Sequence, residues 1–174
     1  MDELRVRDVD SSIVEHTVFF DEYIPVDVRS YAQPLGAGAV RLGDYSRTLL
    51  ELTVECNSNR LRGATLTSVL ELSPWPVVQI RSVQRGTPVL GTAFSERRVV
   101  SLTREFNVAV TESSILVYWA ELEQCDACDC GRVQYLVAEG FLAGIRCTGL
   151  TQAELRLFRI AAEVNDAAAT NKEI

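Results

Sequence analysis

Residues 115–163 read ILVYWAEL (115–122), EQCDACDCG (123–131), RVQYLV (132–137), AEG (138–140), FLAGIRC (141–147), TGL (148–150) and TQAELRLFRIAAE (151–163). This stretch decides the fold class. β-Branched and aromatic runs separated by turn residues read as strands. The last segment reads as a helix. Thr151 and Glu154 have the spacing of a capping box, in which each side chain satisfies the other residue's free N–H. Leu155, Phe158 and Ala162, flanked by Leu157, Ile160 and Ala161, form a broad apolar stripe. The expectation is three strands and one helix, with three cysteines crowded into the first connection. Asn165 to Ile174 reads as a frayed tail.

Working outward, 133–137 and 141–147 form a hairpin across Ala138-Glu139-Gly140. Phe106 to Val110 is a strand, and Glu112-Ser113-Ser114 turns into Ile115 to Leu122. In the first half, Thr48 to Cys56 alternates, with Leu50, Leu52 and Val54 on one face and Glu51, Thr53 and Glu55 on the other. Asn57-Ser58-Asn59 is turn chemistry, and Leu61 to Leu72 returns as the partner strand. Residues 13–20 read as a strand with His16 and Val18 on one face. Asp21 to Pro34, with Pro25 and Pro34, reads as an extended edge or loop. Residues 35–39 read as a flexible connection. Pro74-Trp75-Pro76 breaks the sheet, and short strands follow at Val77 to Val83 and Pro88 to Leu90. The expected fold is α+β, mainly antiparallel sheet built from hairpins and meanders, with one C-terminal helix packed on it. The 174 residues fit a single domain, built as two loosely repeated meander halves at about 12–91 and 104–163.

The composition narrows the function classes. Hydrophobic residues make up 47%, enough for a core, so the chain is not of the disordered class. No apolar run approaches the roughly 20 residues that span a bilayer. The opening MDELRVRDVD is acidic, unlike a signal peptide, so the expectation is a cytoplasmic protein. The net charge of −7 opposes nucleic acid and anionic membrane and favours a basic protein partner. Residues 81–104 run against that trend, with Arg81, Arg85, Arg97, Arg98 and Arg104 set against Glu96 alone. Lys172 is the single lysine, which removes the usual P-loop and Schiff-base lysines.

Cys125, Cys128 and Cys130 are spaced as metal ligands are, so the alternative to a chain without cofactor is a small zinc-binding domain, structural or regulatory. Only Cys56, Cys147 and His16 could complete such a site, and all three fall on expected strands. Read blandly, the cysteines are incidental thiols in a polar, acidic hairpin loop. His16 is the one histidine and has no motif around it. G-x-S-x-G, dinucleotide and P-loop patterns are absent, and no catalytic residue is assigned. An enzyme of unrecognised type, with His16 or a carboxylate as base, stays open as an alternative. Tyr118 and Trp119 are aromatic anchors, and Trp119 is a candidate contact residue.

The segment VRLGDYSRTLLELTVECNSNRLRGATL, Val40 to Leu66, resembles a hairpin of small bacterial immunity proteins from contact-dependent and polymorphic toxin systems. It covers under a fifth of the chain. The resemblance implies a cytosolic protein that binds one cognate toxin domain and occludes its active site. A toxin with a basic cleft would meet acidic loops, which puts Glu121, Glu123, Asp126 and Asp129, with Trp119, forward as the partner-binding residues, together with the acidic N-terminus.

Overall fold

Leu50, Leu52 and Val54 are buried along one face of β5 (Leu49–Glu55), as their alternation requires. The structure is a computed structural model that describes residues 2–12, 15–30, 36–44 and 48–170. It is an α+β fold. The first six-stranded sheet contains β2 (His16–Phe19), β3 (Val26–Ser30), β6 (Leu61–Ser68), β5, β4 (Ala37–Leu42) and β9 (Val99–Leu102), in that spatial order. The second contains β10 (Asn107–Val110), β11 (Ile115–Tyr118), β14 (Phe141–Cys147), β13 (Val133–Ala138), β12 (Cys125–Cys130) and β7 (Ile80–Arg85). A two-stranded ribbon pairs β1 (Val6–Asp10) with β8 (Thr87–Leu90). One apolar core joins the facing sides of both sheets, from Val28, Leu52 and Leu66 to Val117, Tyr135 and Ile145. Helix α1 (Gln152–Thr170) adds Leu155, Phe158 and Ala162 to it. Its cap is the expected one: Thr151 N–H donates to Glu154 and Glu154 N–H to Thr151 Oγ1.

The two sheets share one strand plan. In each, five antiparallel strands are followed by one parallel edge strand. The match extends to individual residues. Gly63 pairs with Thr53 and Arg29, and Gly144 pairs with Leu136 and Tyr118. In both sheets a bulge follows directly, at Thr53/Val54 and at Leu136/Val137. A Cβ on Gly63 would stand 2.2 Å from Val28 O, and one on Gly144 would stand 2.9 Å from Val117 O. The same carbonyl therefore presses on the same backbone position twice. The ribbon repeats it again. Val6 N–H donates to Gly140 O beside one hairpin turn and Leu90 N–H to Asn59 O beside the other, each at 2.9 Å. Val6 and Leu90 are also paired with each other.

The structure corrects several local expectations. The Pro25-containing segment forms β3, which is flanked by β2 and β6 rather than lying at an edge. Pro25 precedes the strand and costs no ladder bond. Ala37 to Ala39 belong to β4 and are not a loose connection. Their small side chains let a neighbouring backbone close in: a Cβ on Gly38 would meet Arg98 O at 2.8 Å. The 115–163 stretch holds four strands, because the cysteine segment is itself β12. α1 continues through Asn165 to Thr170. Ile13, Val14, Pro34 and Leu35 lie outside the described residues, as do 171–174 of the expected tail.

The glycine contacts set a stability order. Gly63→Ala should lower unfolding free energy by about 2–3 kcal/mol, and Gly144→Ala by about 1–2 kcal/mol, as overpacking does. Urea unfolding of the two variants checks both size and order.

Candidate functional site

β11 leaves the second sheet at Tyr118, and the chain crosses to β12 through residues 119–124. Trp119 and Leu122 are buried and pin this crossing. Trp119 Nε1 donates to Leu142 O at 2.7 Å, and Leu122 O accepts from Gln79 N–H at 3.0 Å. With those anchors inward, Glu121 and Glu123 stand exposed on a ridge. A cleft of about 610 Å³ lies on one side, lined by Glu121, Glu123, Arg81, Arg104, Glu139 and Phe141. A second hollow of about 360 Å³ shares the same two glutamates and adds Val77, which is 69% exposed. Glu139 comes from the tight turn between β13 and β14, where Glu139 (φ 53°) and Gly140 (φ 82°) are both left-handed. Two left-handed residues are what a type I′ hairpin requires.

The remaining expected site residues are placed differently. Trp119 is a core anchor, 5% exposed, that also lines the second hollow. Asp126 is half-exposed and already paired, with Arg81 at 3.0 Å and with Ser82 Oγ at 2.8 Å. Asp129 is half-buried in mid-strand, in register with Arg85 and Gln134. The cysteines alternate across β12. Cys125 packs with Leu116 and Leu136 on the outer face, while Cys128 and Cys130 face the core between the sheets. Side chains on opposite faces of a strand cannot converge on one ion. Among the described residues, no group of three metal-ligating side chains converges.

His16 sits in the core seam between the sheets, 4% exposed. Its Nδ1 lies 2.5 Å from Tyr135 Oη, and its Nε2 lies 3.4 Å from Thr87 Oγ1. Thr87 Oγ1 in turn lies 3.7 Å from Cys130 Sγ, whose thiol donates to Gly86 O at 3.1 Å. Burial, reinforced by the Arg62 charge, lowers the His16 pKa from 6.5 to about 4. Burial pushes Cys128 up to about 12, Cys130 to about 11 and Cys147 to about 12. These groups are closed off by packing, and the network joins β2 to β12 and β13. Nothing local in the sequence marks it, since its bonded partners lie from 43 to 119 residues apart. The cleft residues Arg81, Arg104 and Phe141 were equally hidden. Glu139 had a signal, an acidic residue in a recognisable turn.

No protein-family model matches this chain, and no curated protein matches its sequence. Among the described residues, no helix is long and apolar enough to cross a membrane.

Two measurements follow from the buried groups. Unfolded His16 takes up its proton near pH 6.5, whereas folded His16 resists until about pH 4. The unfolded chain thus binds the extra proton in that window, and stability falls as pH drops through it, by roughly 3 kcal/mol from this group. His16→Gln should flatten the pH 6.5–4 portion of a urea-unfolding series. The raised thiols should be unreactive toward a disulfide reagent in the native protein. Only half-buried Cys56 should react readily, with all five thiols released in denaturant.

Proposed function

We propose that this protein is a cytoplasmic binding module whose functional surface is the 119–124 ridge, and that it neutralises a cognate toxin domain by covering that domain's basic active-site cleft. The ridge is the observation that carries the reading. Two exposed carboxylates, Glu121 and Glu123, rise from a rigidly anchored crossing and face a hollow on either side. The anchoring matters because a preorganised contact loses little ordering entropy on binding. Val77 and Phe141 add apolar area beside the charges, the mixture typical of a protein contact. An arginine or lysine of the partner would place its head between Glu121, Glu123 and Glu139 and its stem along Phe141. Asp126 contributes less, because Arg81 already meets its charge. The hairpin that resembles immunity proteins supports the choice of a toxin as partner.

The test is co-expression with the neighbouring gene product, purification of the complex, and titration of the isolated components. Glu121→Arg with Glu123→Arg should weaken binding at least tenfold and slow association, with a strong dependence on salt. Asp126→Ala with Asp129→Ala should change affinity less than threefold. Equal affinity for wild type and for the variant with all four acids changed to alanine would exclude this surface.

A further inference from the structure

The hollow on the second side of the ridge differs in chemistry from the cleft on the first. In the cleft, Glu121, Glu123 and Glu139 face Arg81 and Arg104. In the hollow, Glu121 and Glu123 are the only charged side chains, and Pro76, Val77, Tyr118 and Leu122 supply apolar wall and floor. Among the described residues, neither Glu121 nor Glu123 has a hydrogen-bond or ion-pair partner. Their negative charge is therefore unbalanced on the hollow's side.

The hollow is also preformed. Its far wall is the segment 73–79, which is tied at both ends. Ser73 N–H donates to Val108 O at 2.7 Å, and Gln79 N–H donates to Leu122 O at 3.0 Å. Gln79 O accepts from Cys125 N–H at 3.0 Å, so the wall is bonded to the crossing twice. Between these ties, Trp75 and Val78 pack into the smaller apolar cluster with Leu122, and the Arg146 guanidinium lies 5.7 Å from the Trp75 ring centre. Pro74 and Pro76 have a fixed φ. Held this way, the wall leaves Val77 69% exposed at the lip. A fixed apolar lip has little ordering left to lose when a partner covers it.

We propose that the hollow receives an apolar side chain of the partner protein, aromatic or long aliphatic, from a residue two positions away from the basic residue that enters the cleft. The proposal rests on the ridge being the contact surface, and it names what lies on the ridge's second side. Leu122 turns inward between Glu121 and Glu123, so the ridge is one extended chain wide. A partner segment that crosses it and reaches both hollows is itself extended, and residues two apart in such a segment share a face, roughly 7 Å apart. The basic residue answers the two unpaired carboxylates. The apolar residue covers Val77 and keeps water from the charges, which strengthens their attraction. An acidic segment is opposed by both glutamates. A free amine is poorly served, because a hollow this shallow leaves most of a small ligand in water, whereas a ligand site encloses it.

The experiment uses the whole protein, labelled with nitrogen-15, and three synthetic peptides. The first is acetyl-Ser-Arg-Ser-Trp-Ser-Arg-Ser-amide, whose pattern reads the same in both chain directions. The second replaces tryptophan by serine, and the third replaces both arginines by glutamate. The first should shift the amide signals of residues 77–79 and 118–123 and bind roughly tenfold tighter than either analogue. Val77→Ser, at a position open to solvent, should remove the tryptophan preference and keep the arginine preference. Glu121→Gln with Glu123→Gln should do the reverse. An arginine preference without a tryptophan preference would overturn this proposal and leave the ridge reading standing. Absence of binding, or shifts confined to other surfaces, would overturn this proposal too, and titration of the purified complex judges the ridge separately. Phenethylamine binding as tightly as the first peptide would give the hollow to a free amine, and a dimer that Val77→Ser dissociates would give it to a second copy of this chain; either result overturns the assignment. The wild-type peptide comparison decides the matter even if a variant fails to fold.

Discussion

Burial of one face of each sheet against the other is the interaction on which the rest of this protein depends. Neither sheet covers its own apolar side. Leu42, Leu52 and Leu66 of the first need Val117, Tyr135 and Ile145 of the second, and α1 closes the remaining opening with Phe158. Burying such side chains is worth about 1.5–3 kcal/mol each, far more than any surface ion pair here. That burial also forces His16 and Tyr135 to satisfy each other, since a buried hydroxyl or imidazole without a partner is costly.

The outer faces show how one plan can serve two ends. In the first sheet Thr53 stands where Leu136 stands in the second. The first sheet's outer side is laced by Arg41–Glu51 and by Arg60 and Arg62 around Glu55. The second sheet's outer side is apolar, and Trp75, Val78 and Ile80 pack over it. The 119–124 ridge is pinned by Trp119 in the main core and by Leu122 in the smaller cluster on the covered side. Rigidity at the proposed site is thus inherited from both cores. At the other end of the molecule, the bond from Arg132 to Glu154, helped by the Thr151 cap, lowers the Glu154 pKa to about 2 and keeps the start of α1 fixed down to strongly acid pH.

Much of this fold was legible. Alternation in 48–56, the Asn57–Asn59 turn, the 133–147 hairpin and the Thr151/Glu154 cap all carry local physical signals, and all of these elements exist. What was hidden has a common cause. β4 looks like a loop because glycine and alanine are there for close backbone approach. β12 looks like a loop because Asp126 and Asp129 punctuate it, although Cys125, Ala127, Cys128 and Cys130 are buried. The parallel pairings of β7 with β12 and β9 with β4 leave no periodic trace, because register between distant strands is decided by tertiary packing. For the site, Glu121 and Glu123 were readable as exposed acids, whereas Trp119 was readable as an aromatic anchor without a choice between core and contact patch.

The exchange of edge strands has a consequence for synthesis. Translation proceeds from the N-terminus, and domains assemble as their parts become available. When residues 1–79 have emerged, the first sheet has five of its strands, and β4 waits for residues 99–102. β7, made next, has no sheet to join until residues 125–130 appear. The first half therefore spends the interval with an incomplete sheet, its apolar face uncovered and a valine-centred strand unpaired. Arginines at both ends of that strand are charged gatekeepers during the one period when it has no partner inside its own chain.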